Sequence, residues 1–335
     1  MKMRVELGER GYDITVCRGA IKKAGEIFDL CRRVLVVTDD GVPAEYARAV
    51  AEKCKEAKIF TFPQGEASKN ADTYIAILKE MLAFGLSRTD CVVAVGGGVV
   101  GDIAGFAAAT YMRGIDFYNV PTTLLSAVDS SIGGKTAIDL CGVKNVVGAF
   151  YQPKAVLIDP DALKTLPDRQ MSSGMAEAIK MAATSDHALF EKIESGGCDI
   201  EDIIVGSLKI KKAVVEADER EAGLRRVLNF GHTIGHGIEA SSGGALYHGE
   251  CVALGMLPMC KKDVRERLLP VLKKYGLPTE YHGDIAAVKS AVLHDKKSSG
   301  DTVYAVIVNK IGSYEIIKET PDGITSRMTA VWGNL

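Results

Sequence analysis

The chain has 335 residues, 47% of them hydrophobic and 25% charged, the balance of a globular protein long enough for two domains that each bury a core. Its formal net charge of −2 argues against general nucleic-acid binding, which needs a basic face. Residues 1–16 alternate polar and apolar side chains and lack the apolar core of a signal peptide, while the least polar long run, 91–112, is glycine-rich and interrupted by Asp102, poor material for a membrane span.

In chain order, 34–38 reads as a buried strand ending at Asp39 and Asp40, 43–55 as a helix and 59–62 as a short strand. Residues 71–84 have helical spacing with Ile75, Leu78 and Leu82 on one face. Further strands are expected at 91–95, 117–120 and 155–158. Strands alternating with helices predict a mainly parallel, helix-flanked sheet, an α/β fold, over 1–165. Beyond Pro167 long helical patterns take over, at 170–194, 200–218, 229–241 and 251–267, followed by two strands at 303–308 and 314–317 that pair as a hairpin. The second domain, 166–335, is therefore expected to be mostly α-helical, with the boundary at 159–167. Eight cysteines stand singly with no Cys-x-x-Cys pair, which predicts reduced, mostly buried thiols in a cytoplasmic protein and no cysteine metal site.

The chemistry starts at Gly96, Gly97, Gly98 and Gly101, which follow a strand and open a helix. Glycines let a diphosphate approach the backbone, and the helix N-terminus attracts it with free amides and a positive dipole. This is not the first strand-to-helix turn of the chain, and the acidic strand end at Asp39 precedes the glycines, so the sheet order should be non-standard. Asp39 is a candidate for holding a ribose diol.

Three of the six histidines, His232, His236 and His248, fall close together, and His232 and His236 are four apart on one helix face. A zinc-protease pattern would need Glu where Thr233 stands, so peptide hydrolysis is disfavoured. The three imidazoles, with Glu177 as a candidate carboxylate, are the donor types that a borderline metal such as zinc prefers. Lys180, Lys211, Lys212, Arg225, Arg226, Lys296 and Lys297 supply cations for phosphate and carboxylate groups, a small polyanion rather than a nucleic acid.

The runs GGGVVGD at 96–102, YMRG at 111–114, PTTLL at 121–125, DSSIGGK at 129–135 and KN at 144–145 resemble those of the 3-dehydroquinate synthase family. So do GMAE at 174–177, DERE at 218–221, LNFGH at 228–232, HGE at 248–250 and DKK at 295–297, all in the same order.

The resemblance implies an NAD- and metal-dependent enzyme of the shikimate pathway, with zinc, or cobalt as an alternative, held by Glu177, His232 and His248. It moves His236 from the ligand set to substrate contact. It puts Asp39, Glu66, Lys69, Gly97, Gly98, Val99, Asp102, Thr122, Thr123, Asp129, Lys144 and Thr165 at NAD-contacting positions. Arg113, Lys135, Asn145, Lys180, Lys211, Arg225, Asn229 and His236 fall at substrate positions, with one of Lys296 and Lys297. Arg113 is expected to reach the site of a neighbouring subunit in a homodimer. Gly41 departs from the family, which often carries Asn there, and puts one adenosine contact in doubt.

The implied substrate is 3-deoxy-arabino-heptulosonate 7-phosphate. Transient oxidation at carbon 5 acidifies the proton on carbon 6, phosphate leaves carbon 7, the hydride returns, and an aldol step closes the carbocycle. Three rivals stand beside it: another sugar-phosphate cyclase, a metal-dependent polyol dehydrogenase that accumulates NADH, and a non-catalytic descendant that would have lost a metal ligand.

Overall fold

The computed structural model describes residues 1–294 and 302–333. Lys296 and Lys297 lie outside the described residues. The chain divides into two compact units, Met1–Leu166 and Pro167–Leu335.

The first unit contains β1 (Lys2–Val5), β2 (Tyr12–Val16), α1 (Ala24–Ile27), β3 (Arg33–Asp39), α2 (Ala44–Ala51), β4 (Glu56–Phe62), α3 (Ala71–Ala83), β5 (Cys91–Gly96), α4 (Gly98–Thr110), β6 (Asp116–Pro121), β7 (Lys135–Leu140), β8 (Val143–Phe150) and β9 (Ala155–Ile158). Seven strands form one sheet in the order β1-β2-β9-β6-β5-β3-β4, and every pairing from β2 to β4 is parallel. Side chains alternate faces along a strand. Val34, Val36, Val93 and Val95 therefore pack on one side with Phe28, Ala47 and Val50, and Leu35, Val37, Val92 and Ala94 on the other with Ile77, Met81, Ile103 and Ala107. A sheet covered on both faces explains why β3 and β5 read as continuous apolar runs rather than alternating ones.

The sheet order fixes the site. From β3 the chain crosses through α2 to β4 on one side; from β5 it crosses through α4 to β6 on the other. β3 and β5 are neighbours, with Val37 opposite Ala94. The connections part between them, and that switch point at the carboxyl ends of the strands is where open α/β sheets bind ligands. Asp39 and Gly96 end these two strands.

The second unit contains α5 (Asp168–Ser185), α6 (His187–Ser195), α7 (Ile200–Ala217), α8 (His232–Ser241), α9 (His248–Met256), α10 (Lys262–Lys274), α11 (Ile285–His294), the antiparallel hairpin β10 (Val303–Lys310) and β11 (Ser313–Glu319), and α12 (Pro321–Trp332). α5 is buried from Ser173 to Thr184 and α9 from Gly249 to Met256; α5 and α8 both pack on α9. No helix among the described residues is long and apolar enough to cross a membrane.

Several expected elements differ. The helix expected over 43–55 runs only from Ala44 to Ala51. The expected 170–194 helix breaks at Asp186, whose carboxylate caps the next helix by accepting from the Leu189 amide at 2.9 Å. The expected 251–267 helix breaks at 257–261, where Pro258 has no amide hydrogen to continue the ladder. α8 starts at His232 rather than at Asn229, because Gly231 takes the left-handed conformation at φ 79°. In α3 the buried residues are Ile77 and Met81, while Ile75 and Leu82 are exposed. Two stripes of helical spacing share Leu78, and the sheet covers the one centred on Ile77. The β7–β8 hairpin carried no strong strand signal, since β8 is mostly exposed.

Candidate functional site

In the first unit, α4 begins at Gly98 after Gly97, with no side chain capping its free amides. A Cβ on Gly97 would stand 3.0 Å from the Thr123 methyl, and one on Gly98 would stand 3.1 Å from Ser130 Oγ. The glycines thus keep open a tight cradle at an uncapped helix N-terminus, the geometry that receives a phosphate. Around it Asn119 Oδ1 and the hydroxyls of Ser126, Ser130 and Ser131 are buried with no hydrogen-bond partner among the described residues. Buried polar groups in that state call for a polar ligand or water. These features fit a dinucleotide.

Asp39 accepts from the Gly41 amide at 3.0 Å, and burial raises its pKa against that bond. The Gln64 side chain fills the space that a side chain at position 41 would need. Thr122 donates its amide to Gly96 O at 2.9 Å, and Thr123 Oγ1 accepts from the Ser126 amide at 3.1 Å, so both threonines are fastened to the strand ends beside the cradle. Val99 lies in the first turn of α4, and Asp129 in the turn Ser126–Ser130. The Thr165 hydroxyl donates to Ala162 O and pairs with the Tyr46 hydroxyl at 3.0 Å.

The structure joins several expected residues into one network. The buried Lys69 ammonium lies 2.6 Å from Asp102 Oδ2 and donates to Asn145 Oδ1 at 2.5 Å. Burial works against its charge, but Asp102 and Glu66 outweigh it and the Lys69 pKa is raised. Lys144 faces Glu66 at 4.0 Å. Asp139, which sequence reasoning missed, holds this hairpin: it accepts from the Asn145 amide at 2.7 Å and donates its own amide to Lys69 O at 2.8 Å. Asn145 has φ 53°, a left-handed conformation that this network sustains. Lys135 is exposed at the start of β7. Arg113 is exposed on a loop where Met112 and Arg113 both have positive φ, 49° and 70°.

In the second unit, α5, α8 and α9 bring Glu177, His232 and His248 together, one ligand atom of each lying within 4.8 Å of the others. Glu177 Oε1 is 3.6 Å from His232 Nε2 and 3.5 Å from His248 Nε2. Glu177 is fully buried, neither of its oxygens has a hydrogen bond of good geometry among the described residues, and the buried Lys180 ammonium pairs with Oε2. Burial opposes the Glu177 charge, but Lys180, His232 and His248 together hold its pKa well below the usual carboxylate range. His232 is pushed well below its ordinary value by burial and by Lys180, against the pull of Glu177. An ionised carboxylate and a neutral imidazole are the protonation states that ligate a metal. The other ring nitrogens are turned outward: His232 Nδ1 lies 3.2 Å from Phe230 O, and His248 Nδ1 lies 3.1 Å from Glu239 Oε2. Such partners orient imidazoles toward a metal. The donor set fits zinc or a similar ion.

Close helix packing makes this possible. A Cβ on Gly249 would collide with the Ser173 carbonyl, and one on Gly255 with the Gly231 carbonyl. Arg169 grips Glu250 through two bonds of 2.7 Å, and Glu250 accepts from the Tyr247 amide at 2.7 Å, which fixes the turn carrying His248. His236 is exposed, one turn beyond His232. Lys211 on α7 and Arg225 are buried cations. Asp218 accepts from the amides of Ala222, Gly223 and Arg225 at 2.7, 2.7 and 3.0 Å, and the Arg225 guanidinium donates to Glu219 O at 2.5 Å. Asn229 Nδ2 donates to Glu221 at 3.0 Å. The supporting roles of Glu239, Glu250 and Asp218 emerge from the fold; the helical spacing of Glu239 from His232 and His236, and the DERE and HGE runs that contain Asp218 and Glu250, are the signals the sequence carries for them.

Residues 59–173 match the family described as 3-dehydroquinate synthase N-terminal, and residues 174–298 the one described as 3-dehydroquinate synthase C-terminal. A 3-dehydroquinate synthase of Streptococcus sanguinis (strain SK36) is 41% identical over 345 residues, covering 94% of this chain and 96% of the relative. The fold is similar to that of 2-deoxy-scyllo-inosose synthase solved with carbaglucose-6-phosphate, NAD+ and Co2+, with a TM-score of 0.90, 25% identity and 99% and 100% of the two chains covered. It is also similar to 2-epi-5-epi-valiolone synthase from Streptomyces hygroscopicus subsp. jinggangensis 5008 with NAD+ and Zn2+ bound, with a TM-score of 0.87, 25% identity and 96% of each chain covered. Matched across both units and nearly end to end by its curated relative, the chain belongs to the 3-dehydroquinate synthase family.

Proposed function

We propose that the chain converts 3-deoxy-arabino-heptulosonate 7-phosphate to 3-dehydroquinate and phosphate, as a lyase that uses NAD and a divalent metal, zinc in this reading. The observation that carries it is the fully buried Glu177 carboxylate facing Nε2 of both His232 and His248. NAD held at the Gly97–Gly98 cradle would supply a reversible hydride acceptor for the carbon-5 alcohol, and zinc held by Glu177, His232 and His248 would supply Lewis acidity toward the same oxygen.

The chain's own residues do the rest. The Gly97–Gly98 cradle and the free amides of α4 bind the cofactor diphosphate, and Asp39 binds a ribose diol. Val99, Thr122, Thr123, Asp129, Lys144, Glu66 and Thr165 complete the cofactor contacts. Lys69 holds Asp102 and Asn145 in fixed positions, and Lys180 keeps Glu177 ionised. Lys211, Arg225, Asn229 and His236, with Lys135 and Asn145, bind the carboxylate, hydroxyls and phosphate of the substrate. Fixing one conformer matters because several steps share it. The departing phosphate carries off the proton released from carbon 6.

The exposed Arg113 supports a homodimer in which this side chain reaches the other copy's site: among the described residues it has no hydrogen-bond or ion partner, and two successive left-handed residues present it. Eight cysteines with no disulfide among the described residues support a cytoplasmic location, although only Cys91, Cys251 and Cys260 are buried, fewer than the sequence led one to expect. To test the activity, zinc-loaded protein is incubated with NAD and the heptulosonate phosphate and the product identified by NMR. A 3-dehydroquinate spectrum supports the reading; unchanged substrate, or a product that keeps its phosphate, contradicts it.

A further inference from the structure

The two ring nitrogens of His248 face two different donor sets. Nε2 points to Glu177 and His232, the buried set described above. Nδ1 points to Glu239 at 3.1 Å. His236, Glu239 and His248 form a second group whose ligand atoms all lie within 4.8 Å of one another. His236 and Glu239 are three apart on α8, so both stand on one helix face, on the same stripe as His232. The ring centroids of His236 and His248 are 6.0 Å apart.

The two sets differ in exposure. The inner one is built on a carboxylate with no solvent access and on a nearly buried His232. The outer one has an exposed His236, with Glu239 and His248 half-buried, so solvent can complete its coordination. Two imidazoles and one carboxylate, with remaining positions open to water, are sufficient donors for a zinc-like ion.

We propose that His236, Glu239 and Nδ1 of His248 form a second, weaker divalent-metal site that fills when metal is in excess and inhibits the enzyme. This rests on the reading that Glu177, His232 and His248 Nε2 hold the first ion. The outer ion is weaker for two reasons: it displaces the proton on His248 Nδ1, and it sits one imidazole away from another dication. It inhibits because it withdraws His236 from the substrate and Glu239 from its hydrogen bond to His248.

The test is equilibrium dialysis of the whole chain against rising zinc, with bound metal measured directly and turnover measured on the same samples. The expected result is a tight first ion and a weaker second, with turnover falling as the second binds. Glu239→Gln keeps an oxygen to accept from His248 but lacks the carboxylate ligand. It should retain the first ion, lose the second, and need at least about tenfold more zinc for the same fractional inhibition. Saturation at one ion overturns the second site and leaves the first intact. A second ion that persists unchanged in Glu239→Gln also overturns it, since the ion then sits elsewhere. No tightly bound ion in either protein overturns the first site together with the second.

Discussion

Glu177 Oε1 stands 3.5 Å from His248 Nε2, with no solvent access to the carboxylate and a buried ammonium, that of Lys180, against its other oxygen. A charge in that setting needs cations around it. Lys180 supplies one, and a metal held by Glu177, His232 and His248 would supply the stronger one. Replacing Glu177 with Gln removes an anionic ligand and leaves Lys180 buried without its counter-charge. Zinc retained after dialysis should fall to a small fraction of the wild-type content, with turnover lost in parallel. Full metal content in Glu177→Gln would exclude this ligand set.

Proton release gives a second check. In the metal-free chain burial opposes charging His248, but Glu177 and Glu239 raise its pKa to about 9. The raised pKa adds stability that is full below the ordinary histidine value of 6.5 and is lost as pH rises through about 9. Metal must displace that proton. Between those two pH values zinc binding should release about one proton per ion and tighten by roughly tenfold per pH unit. An affinity that stays flat across this window would show that His248 is not a ligand.

Gly249 tests the helix packing that delivers His248. An alanine methyl there would be driven into the Ser173 carbonyl, and backbone on both sides must move. Gly249→Ala should destabilise the protein by about 1–3 kcal/mol in chemical denaturation and weaken zinc binding as well. Unchanged stability and unchanged metal content would mean that α5 and α9 are not so closely apposed.

Asp139 tests the hairpin that carries Asn145. Losing its carboxylate frees the Asn145 amide from a 2.7 Å bond and lets its left-handed backbone relax. Asp139→Ala should lower turnover about tenfold, with KM for NAD little changed and Asp139→Asn partly restoring the rate. Equal losses in Ala and Asn variants would show that the charge, and not the acceptor, is what matters.

Lys69→Met leaves Asp102 without its buried partner. A loss of about 2–4 kcal/mol in stability is expected, with weaker NAD binding measured by calorimetry. A stability change near zero would mean that Asp102 is solvated once the lysine is gone.

Much of the fold was legible because parallel strands buried on both faces leave unbroken apolar runs, as at Val34 and Val93, and glycines mark the turn after β5. The departure from a first-turn nucleotide motif also had a visible cause: Asp39 precedes the glycines because β3 lies beside β5 in the sheet. Helix limits were less legible. Asp186 and Pro258 end helices through local bonding, which periodicity averages over. In α3 two overlapping stripes compete, and only the packing of the sheet chooses Ile77 over Ile75. At the metal group, residue type and spacing left His232, His236 and His248 equivalent. The fold separates them by pointing Nε2 of His232 and His248 at Glu177. The supports Asp139, Asp218 and Glu250 act through hydrogen bonds to backbone or to another side chain, which no periodicity marks; Glu239 alone shares helical spacing with His232 and His236.

The measurement that tests the account most directly follows phosphate and NADH together while zinc-loaded protein turns over 3-deoxy-arabino-heptulosonate 7-phosphate in the presence of NAD. The account predicts phosphate release over many turnovers with no matching NADH, because the hydride that leaves carbon 5 returns. NADH accumulating in step with substrate consumed, and no phosphate released, would contradict it and identify a dehydrogenase.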